Sequence, residues 1–308
     1  MSADLTTSLR PGDIAGAEPP APRRARSASR ALNWLGVVPF FVFSLLFLAL
    51  PTLQIVLGAF RGTEGGFTLD HVRGLNTPLI RDAFWESIKV SLWSAALGCV
   101  IGFAMAAAVV LGGLPKAVRS PLLTFSGVAS QFAGVPLAFA FIAAIGPAGL
   151  VTLGLRDAFG INLRMYGWNL FSTSGLVATY LYFQIPLMIL IIVPALDGLR
   201  REWREAALVL GATGFQYWRM VAFPILLPTL LGTFALLFAN AFGAVATAMA
   251  LAGPTFNIAP ILLFSQIRGD VLGNPAAGYA IAFGMIVVTG IANGIYIVLR
   301  ARSERWLK

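Results

Sequence analysis

Charged residues are scarce in this chain: Asp, Glu, Lys and Arg make up 11% of its 308 positions. A soluble domain carries about 25% charged residues. With 58% hydrophobic residues and a mean hydropathy of +0.81, the chain cannot cover a water-facing surface, which excludes a soluble enzyme. The single cysteine, Cys99, excludes an intrachain disulfide, and the single histidine, His71, excludes histidine-rich metal sites.

A nucleotide-binding loop is also missing. The segment from Gly112 to Lys116 resembles a phosphate-binding P-loop only superficially, because no Ser or Thr follows the lysine. We therefore expect that the chain is not an enzyme, that it does not bind ATP itself and that it carries no cofactor or metal.

Six long apolar runs interrupt the sequence. A helix needs about 20 mainly apolar residues to cross the hydrocarbon core of a bilayer. We therefore predict an all-α polytopic membrane protein with six transmembrane helices. The first run is longer than the core of a signal peptide, so we interpret it as a retained anchor. The runs are Trp34–Phe60, Ser87–Leu111, Pro121–Ile145, Ser174–Leu196, Ile225–Leu251 and Gly278–Leu299.

Basic residues predict the orientation. Of the 22 Lys and Arg residues, 15 fall in the N-terminal tail, the second and fourth connections and the C-terminal tail. Cytoplasmic loops carry such an excess, so both termini are predicted to be cytoplasmic. Residues 1–30 are rich in Pro, Ser, Ala and Arg without an apolar period, which predicts a disordered tail whose arginines can lie against lipid headgroups. The membrane domain then covers residues 31–300, and residues 301–308 form a cytoplasmic C-terminal tail.

Two pairs of glycines have the four-residue spacing that lets helices approach closely in lipid: Gly98 with Gly102, and Gly290 with Gly294. We favour packing within one subunit over a dimer contact for both pairs. We find no convincing sequence repeat between the two halves, which weakens an inverted-repeat transporter interpretation.

The fourth connection, residues 197–224, is too long for a turn and too patterned for a disordered loop. Leu199, Trp203 and Leu210 recur at helical spacing, and Gly211 suits a helix end. Thr213 and Gln216 have the spacing of a capping box, which predicts that a second helix follows at once. The connection is therefore predicted to form a helix–turn–helix hairpin at the cytoplasmic surface.

Periodicity leaves two interpretations of this hairpin open. An amphipathic hairpin can lie in the membrane interface as a lipid anchor. Alternatively, it can dock into a groove on a cytoplasmic partner, and the small Ala206 and Ala207 favour docking, because a lipid anchor would want bulkier side chains.

A family motif resolves the choice. The fourth connection resembles a motif of bacterial ABC importer permeases that reads E-A-A, three residues, G, nine residues, then I-x-L-P. In this chain the corresponding residues are Glu205-Ala206-Ala207, Gly211 and Val221-Ala-Phe-Pro224. Every spacing is kept; Val221 replaces the usual Ile, and Phe223 replaces the usual Leu. The resemblance to this family, the inner-membrane component of binding-protein-dependent transport systems, extends over residues 34–299, with the shared core over about 85–299.

The resemblance implies a type I ABC importer permease fold in the bacterial inner membrane. It implies that the hairpin is the coupling helix, which inserts into a cleft of a cytoplasmic ATPase subunit dimer. It further implies a second permease subunit, in a heterodimer, and a periplasmic substrate-binding protein; lipid is the remaining partner, and nucleic acid is not expected. The implied coupling residues are Glu205, Ala206, Ala207, Gly211, Val221 and Pro224.

The spans contain almost no charge, which argues against an ion-coupled secondary transporter, and the single histidine argues against a membrane enzyme. Neutral polar residues are therefore the candidates for a substrate path, although each is more often an interhelical hydrogen-bonding group. The preferred set is Tyr180, Tyr182, Gln184 and Asn240; the wider set adds Ser130, Gln131, Thr247 and Asn293.

The long first span with Pro51 and the segment Phe67–Val72 resemble the spermidine/putrescine branch of these permeases. This resemblance implies a small polar solute, a polyamine first. Ferric iron, thiamine, sulfate and aminoethylphosphonate belong to the same broad branch and stay open as alternatives.

Overall fold

The computed structural model describes residues 37–62, 66–112, 115–253, 256–268 and 275–304. These residues are mainly helical, and no strand longer than an isolated bridge occurs among them. Six helical segments are long and apolar enough to cross a membrane, and the third of them consists of two helices, Val135–Ile145 and Leu150–Phe159; this confirms the predicted six-span all-α fold. The predicted N-terminal tail and the end of the C-terminal tail lie outside the described residues.

The chain divides into two compact units between Gln54 and Ile55. The described part of the first unit is the beginning of helix α1 (Val37–Ala59), which contains a π-helical turn, Leu45–Ala49. Its apolar side chains up to Gln54 are exposed or half-buried, and Phe43 and Phe47 stack on each other at 4.8 Å. Exposed apolar side chains along a helix suit contact with lipid.

The second unit contains the remaining helices. After the end of α1 they are α2 (Asp70–Gly74), α3 (Pro78–Leu111), α4 (Lys116–Gln131), α5 (Val135–Ile145), α6 (Leu150–Phe159), α7 (Thr173–Asp197), α8 (Arg201–Val209), α9 (Gly214–Gly243), α10 (Val245–Ala252), α11 (Ala259–Arg268) and α12 (Pro275–Glu304).

Helix α7 is the centre of the core of this unit. Tyr180 and Phe183 pack with residues of α5 and α10, and farther along the helix Ile189 and Ile192 pack with residues of α3 and α9. Helix α4 packs along α7, whereas α5 packs mainly against α10. Because α7 is covered on several sides, it is the fixed element against which the others are arranged.

The two glycine pairs have different environments. A Cβ on Gly102 would lie 2.6 Å from the Cβ of Met188, and one on Gly98 would lie 3.0 Å from the Cβ of Gln184. This pair therefore lets α3 approach α7, as predicted. Gly290 and Gly294 have nothing within 4 Å of an added Cβ, so the predicted packing of this pair within the subunit is wrong.

Two of the predicted spans are not continuous helices. The run Pro121–Ile145 is divided between α4 and α5 by residues 132–134, and the run Ile225–Leu251 is divided between α9 and α10 at Ala244. The third apolar segment that is long enough to cross a membrane therefore begins after this break and covers Val135–Phe159, that is, α5 and α6. The prediction of uninterrupted spans was wrong because an apolar run does not reveal a local change of backbone direction.

Helix α9 begins at Gly214, eleven residues before the predicted span. The second helix of the hairpin and the fifth span are therefore one continuous element. A π-helical turn, Trp218–Ala222, lies just before Pro224, and the N–H of Phe223 donates to the carbonyl of Trp218. Pro224 has no N–H to donate to the hydrogen bonds of the helix, and in an α-helix its ring would collide with the carbonyl four residues earlier. The wider π-helical turn makes room for the ring.

Candidate functional site

The two interrupted spans meet each other at their breaks. The N–H of Gly134, between α4 and α5, donates to the hydroxyl of Thr247 on α10 over 2.8 Å. The hydroxyl of Tyr180 on α7 donates over 2.7 Å to the carbonyl of Ala244, at the break between α9 and α10. Backbone groups released by the breaks are thus paired with side chains of neighbouring helices, as burial requires.

The first break depends on glycine. Gly134 has φ +75° and ψ −147°, a conformation that only glycine adopts readily. Pro136 then occupies the first turn of α5, where its missing N–H costs nothing. The second break has no such residue: Ala244 has φ −78° and ψ +70°, and the bond from Tyr180 stabilises its turned carbonyl.

A cavity of about 630 Å³ lies between the breaks. Its polar lining comes from Ser130, Gln131, Asn240 and Thr247, and small or apolar side chains such as Ala239 complete it. All four polar residues belong to the neutral polar set singled out from the sequence. Groups of this kind offer hydrogen bonds without fixing a charge.

A second cavity, of about 720 Å³, shares Leu236 and Ala239 with the first. Its polar lining includes Asn293, Tyr296 and Arg300 on α12, and Arg300 donates to the hydroxyl of Tyr296 over 3.2 Å. The two cavities therefore lie next to each other along this face of α9.

The four preferred path residues are in different environments. Asn240 lines the first cavity, and Tyr180 is buried behind it, bonded to the second break. Tyr182 is 37% exposed and packs edge-on against Phe132 and Phe141. Gln184 is buried between α7 and α3, where its amide donates to the hydroxyl of Ser94 over 2.8 Å. The structure thus brings Tyr180 and Asn240 to the breaks and leaves Tyr182 and Gln184 elsewhere.

The hairpin has the predicted local structure. Gly211 has φ +79°, the left-handed conformation that ends α8. The hydroxyl of Thr213 accepts from the N–H of Gln216, and the side chain of Gln216 accepts from the N–H of Thr213, which confirms the capping box.

The hairpin presents a strongly apolar tip. Val209 and Leu210 are 86% and 87% exposed, and Leu208 and Phe215 are exposed beside them. Of the predicted coupling residues, Glu205, Ala206 and Gly211 are exposed, whereas Ala207, Val221 and Pro224 are half-buried. An exposed apolar patch of this kind is typical of an interaction surface.

An ion pair that the sequence analysis missed joins the base of the hairpin to the second connection. The guanidinium of Arg119, at the start of α4, donates to the carboxylate of Asp197, the last residue of α7. Because 78 residues separate the two positions, no local pattern signals the contact.

Among the described residues, no group of three or more His, Cys, Asp or Glu side chains could hold a metal ion. The chemistry at the breaks is therefore that of neutral hydrogen-bonding groups and apolar walls.

Comparisons with known proteins assign a family. The family described as "Binding-protein-dependent transport system inner membrane component" matches residues 98–305. One similar protein is a putative 2-aminoethylphosphonate transport system permease of Salmonella typhimurium, 27% identical over 77% of this chain and 82% of its own length. Another is the putrescine transport system permease of Escherichia coli K12, 26% identical over 84% of this chain and 88% of its own length. A probable sulfate transport system permease of Helicosporidium is 26% identical over 61% of this chain and 67% of its own length.

A similar solved structure is that of a bacterial ABC transporter involved in the import of the acidic polysaccharide alginate. It superposes with a TM-score of 0.69 over 91% of this chain and 98% of that chain, at 16% identity. At this identity the likeness concerns the fold.

Proposed function

Because the chain belongs to the family of binding-protein-dependent transport system inner membrane components, we propose that it forms half of the pathway of an ATP-driven importer in the bacterial inner membrane. It is a multi-pass transport subunit of a type I ABC importer. A second permease subunit, in a heterodimer, forms the other half, a periplasmic protein delivers the solute, and a separate ATPase dimer supplies the energy.

The observation that carries the proposal is the meeting of the two breaks beside a polar-lined cavity. Irregular backbone at membrane depth is tolerated only where it is buried in protein or lines a water-filled cavity. The breaks around Gly134 and Ala244, together with Asn240 and Thr247, satisfy this condition. This arrangement supports a solute path that runs past the two breaks in this subunit.

The same contacts support a gate. The bond from Gly134 to Thr247 holds the two breaks together, and the bond from Tyr180 holds the turned carbonyl of Ala244. If the breaks separate, the first bond is lost and the cavity between them widens. Tyr180 acts as a positioning residue, and Asn240 faces the solute.

The hairpin is the coupling element. Its exposed apolar tip and the exposed Glu205 suit a groove with a basic or donor group on the ATPase. The proposed coupling set is that of the family motif, with Gly211 shaping the turn. Because the helical segment Gly214–Gly243 has no gap, the hairpin and the break at Ala244 belong to one element, and movement of the hairpin passes to the break through the π-helical turn Trp218–Ala222.

Two substitutions in the hairpin test coupling. Gly211→Pro is incompatible with φ +79°, since proline fixes φ near −65°. Glu205→Lys reverses a charge presented to the partner. We expect both variants to insert normally but to lose most of the ATPase stimulation by solute-loaded binding protein in the reconstituted complex.

Gly214→Pro is the matched control, because it places proline in the first turn of a helix, after Thr213 in an extended conformation. It should keep stimulation near the wild-type value. Wild-type stimulation in both test variants would mean that the hairpin is a lipid anchor and not the coupling element.

We propose a small polar solute, with a polyamine as the first candidate. The putrescine permease is matched over a larger share of both chains than the other two permeases named above. No carboxylate lines either cavity among the described residues, so tight cation selection is left to the binding protein.

An organic or inorganic oxyanion is the second candidate, and one observation favours it. Among the described residues that line the two cavities, Arg300 carries the one positive charge, and a guanidinium pairs with phosphonate or sulfate oxygens. Calorimetric titration of the cognate binding protein with putrescine, spermidine, sulfate and aminoethylphosphonate separates the candidates. Tight binding of an anion without polyamine binding would refute the polyamine assignment and keep the importer proposal.

A further inference from the structure

A third cavity, of about 620 Å³, lies beneath the coupling hairpin. Its apolar wall comes from the ends of α3 and α7, with Leu111 and Leu196, and from Trp218 at the start of the fifth span. The hairpin closes the cavity on the other side.

The charge of this cavity is strongly positive. Three arginines line it, and its one carboxylate, Asp197, is already paired with Arg119. Arg201 is 3.9 Å from Glu205, whereas Arg200 and Arg204 have no carboxylate partner within ion-pair distance in the described part of the chain. Arg200 lies 5.8 Å from the centre of the Trp203 ring. Two of the three arginines, Arg200 and Arg204, are therefore uncompensated by a carboxylate among the described residues, and they lie over an apolar floor.

We infer that this cavity binds the phosphate headgroup of an anionic phospholipid from the cytoplasmic leaflet. Its position at the ends of two apolar spans, beside Tyr217 and Trp218, is that of the membrane interface, where aromatic rings gather. Guanidiniums pair with phosphate oxygens, and basic cavities between transmembrane helices on the cytoplasmic side bind such headgroups. Val110, Leu111 and Leu199 offer an apolar exit for the acyl chains.

The inference rests on the proposed function for one point, that the hairpin lies on the cytoplasmic side. It adds a partner to the coupling element, because a headgroup held between Arg200 and Arg204 joins the hairpin to the lipid surface. The exposed tip around Val209 and Leu210 is not part of the lining, so headgroup binding and ATPase docking use different faces.

The experiment measures lipid bound to the full permease complex by native mass spectrometry. The complex is titrated with phosphatidylglycerol and, separately, with phosphatidylcholine of the same acyl chains. The test variant is Arg200→Gln with Arg204→Gln. The charge-conserving variant Arg200→Lys with Arg204→Lys and the variant Arg219→Gln serve as controls; Arg219 lies in the same hairpin, is exposed and is not among the lining residues.

We expect wild type and both controls to prefer phosphatidylglycerol. The Gln variant, which removes two arginines, should lose about thirtyfold of that preference, given the attraction of each arginine near an anionic surface. Added millimolar inorganic phosphate should not displace the lipid. Preserved preference in the Gln variant would overturn the inference, as would displacement by phosphate, which would identify a site for free phosphate. Equal loss in Arg219→Gln would overturn it too, by showing only a general charge effect.

This readout is independent of transport. If lipid binding behaves as expected while the complex fails to import any solute, the proposed function fails and the headgroup site stands. If import is normal but the preference is absent, only the headgroup site is refuted.

Discussion

Replacing Thr247 by valine removes the acceptor that joins the two breaks and keeps the shape of the side chain. Thr247 is 1% exposed, and its hydroxyl receives the N–H of Gly134 over 2.8 Å. A buried donor left without a partner costs about 1–3 kcal/mol. Gly134 is half-buried and lines the cavity, so water can replace part of the bond, and we take the low end, about 1 kcal/mol.

If this bond holds the gate closed, its loss shifts the equilibrium between closed and open states by about fivefold toward open. The complex should then hydrolyse ATP without loaded binding protein about five times faster than wild type. The assay is ATPase activity of the reconstituted complex in the absence of solute. Thr247→Ser keeps the hydroxyl and should restore the wild-type rate.

Thr179→Val is the matched control for the loss of a buried hydroxyl. Thr179 is fully buried on α7, and its hydroxyl bonds only to the carbonyl of Gly175, within the same helix. It should leave the solute-independent rate unchanged. An unchanged rate in Thr247→Val, or an equal rise in Thr179→Val, would refute the argument that this contact holds a gate.

Three further predictions concern topology, nucleotide and packing. In a Cys99→Ala background, an impermeant thiol reagent added to intact cells should label Asp157→Cys but not Glu202→Cys; the reverse pattern would invert the topology. The purified chain alone should show no saturable ATP binding by equilibrium dialysis, since its sequence has no P-loop. Gly102→Val should lower the melting temperature because its Cβ would meet Met188 at 2.6 Å, at a cost of about 1–3 kcal/mol, whereas Gly290→Val meets nothing within 4 Å and should not.

The hairpin was predictable because its signals are local. Gly211 and the Thr213–Gln216 capping box act within one turn of the chain, and both occur as expected. The six spans were predictable for a similar reason, since apolar length alone sets the requirement for crossing a bilayer.

The breaks were harder to predict from the sequence. The first has a signal in Gly134 and Pro136, two residues that interrupt helices, and the long apolar run around them concealed it. The second has only Gly243 beside it as a local signal, and the turned carbonyl of Ala244 is bonded by Tyr180, which is 64 residues away. The Arg119–Asp197 ion pair is nonlocal in the same way. Periodicity reports which face of a helix is apolar and does not report which distant side chain meets it.

The fifth span has a mechanical consequence that follows from its length. The α-helical part of this span after the π-helical turn, Phe223–Gly243, has 21 residues and is therefore about 32 Å long, at 1.5 Å per residue. If this part moves as one body, a tilt of about 7° about its first turn displaces its other end by about 4 Å. A displacement of this size is larger than the 2.8 Å hydrogen bond between Gly134 and Thr247 can tolerate. Thr247, the acceptor, lies in α10, directly after the break at Ala244. A small angular adjustment at the hairpin end of the span is therefore enough to separate the two breaks without melting any turn of the helix.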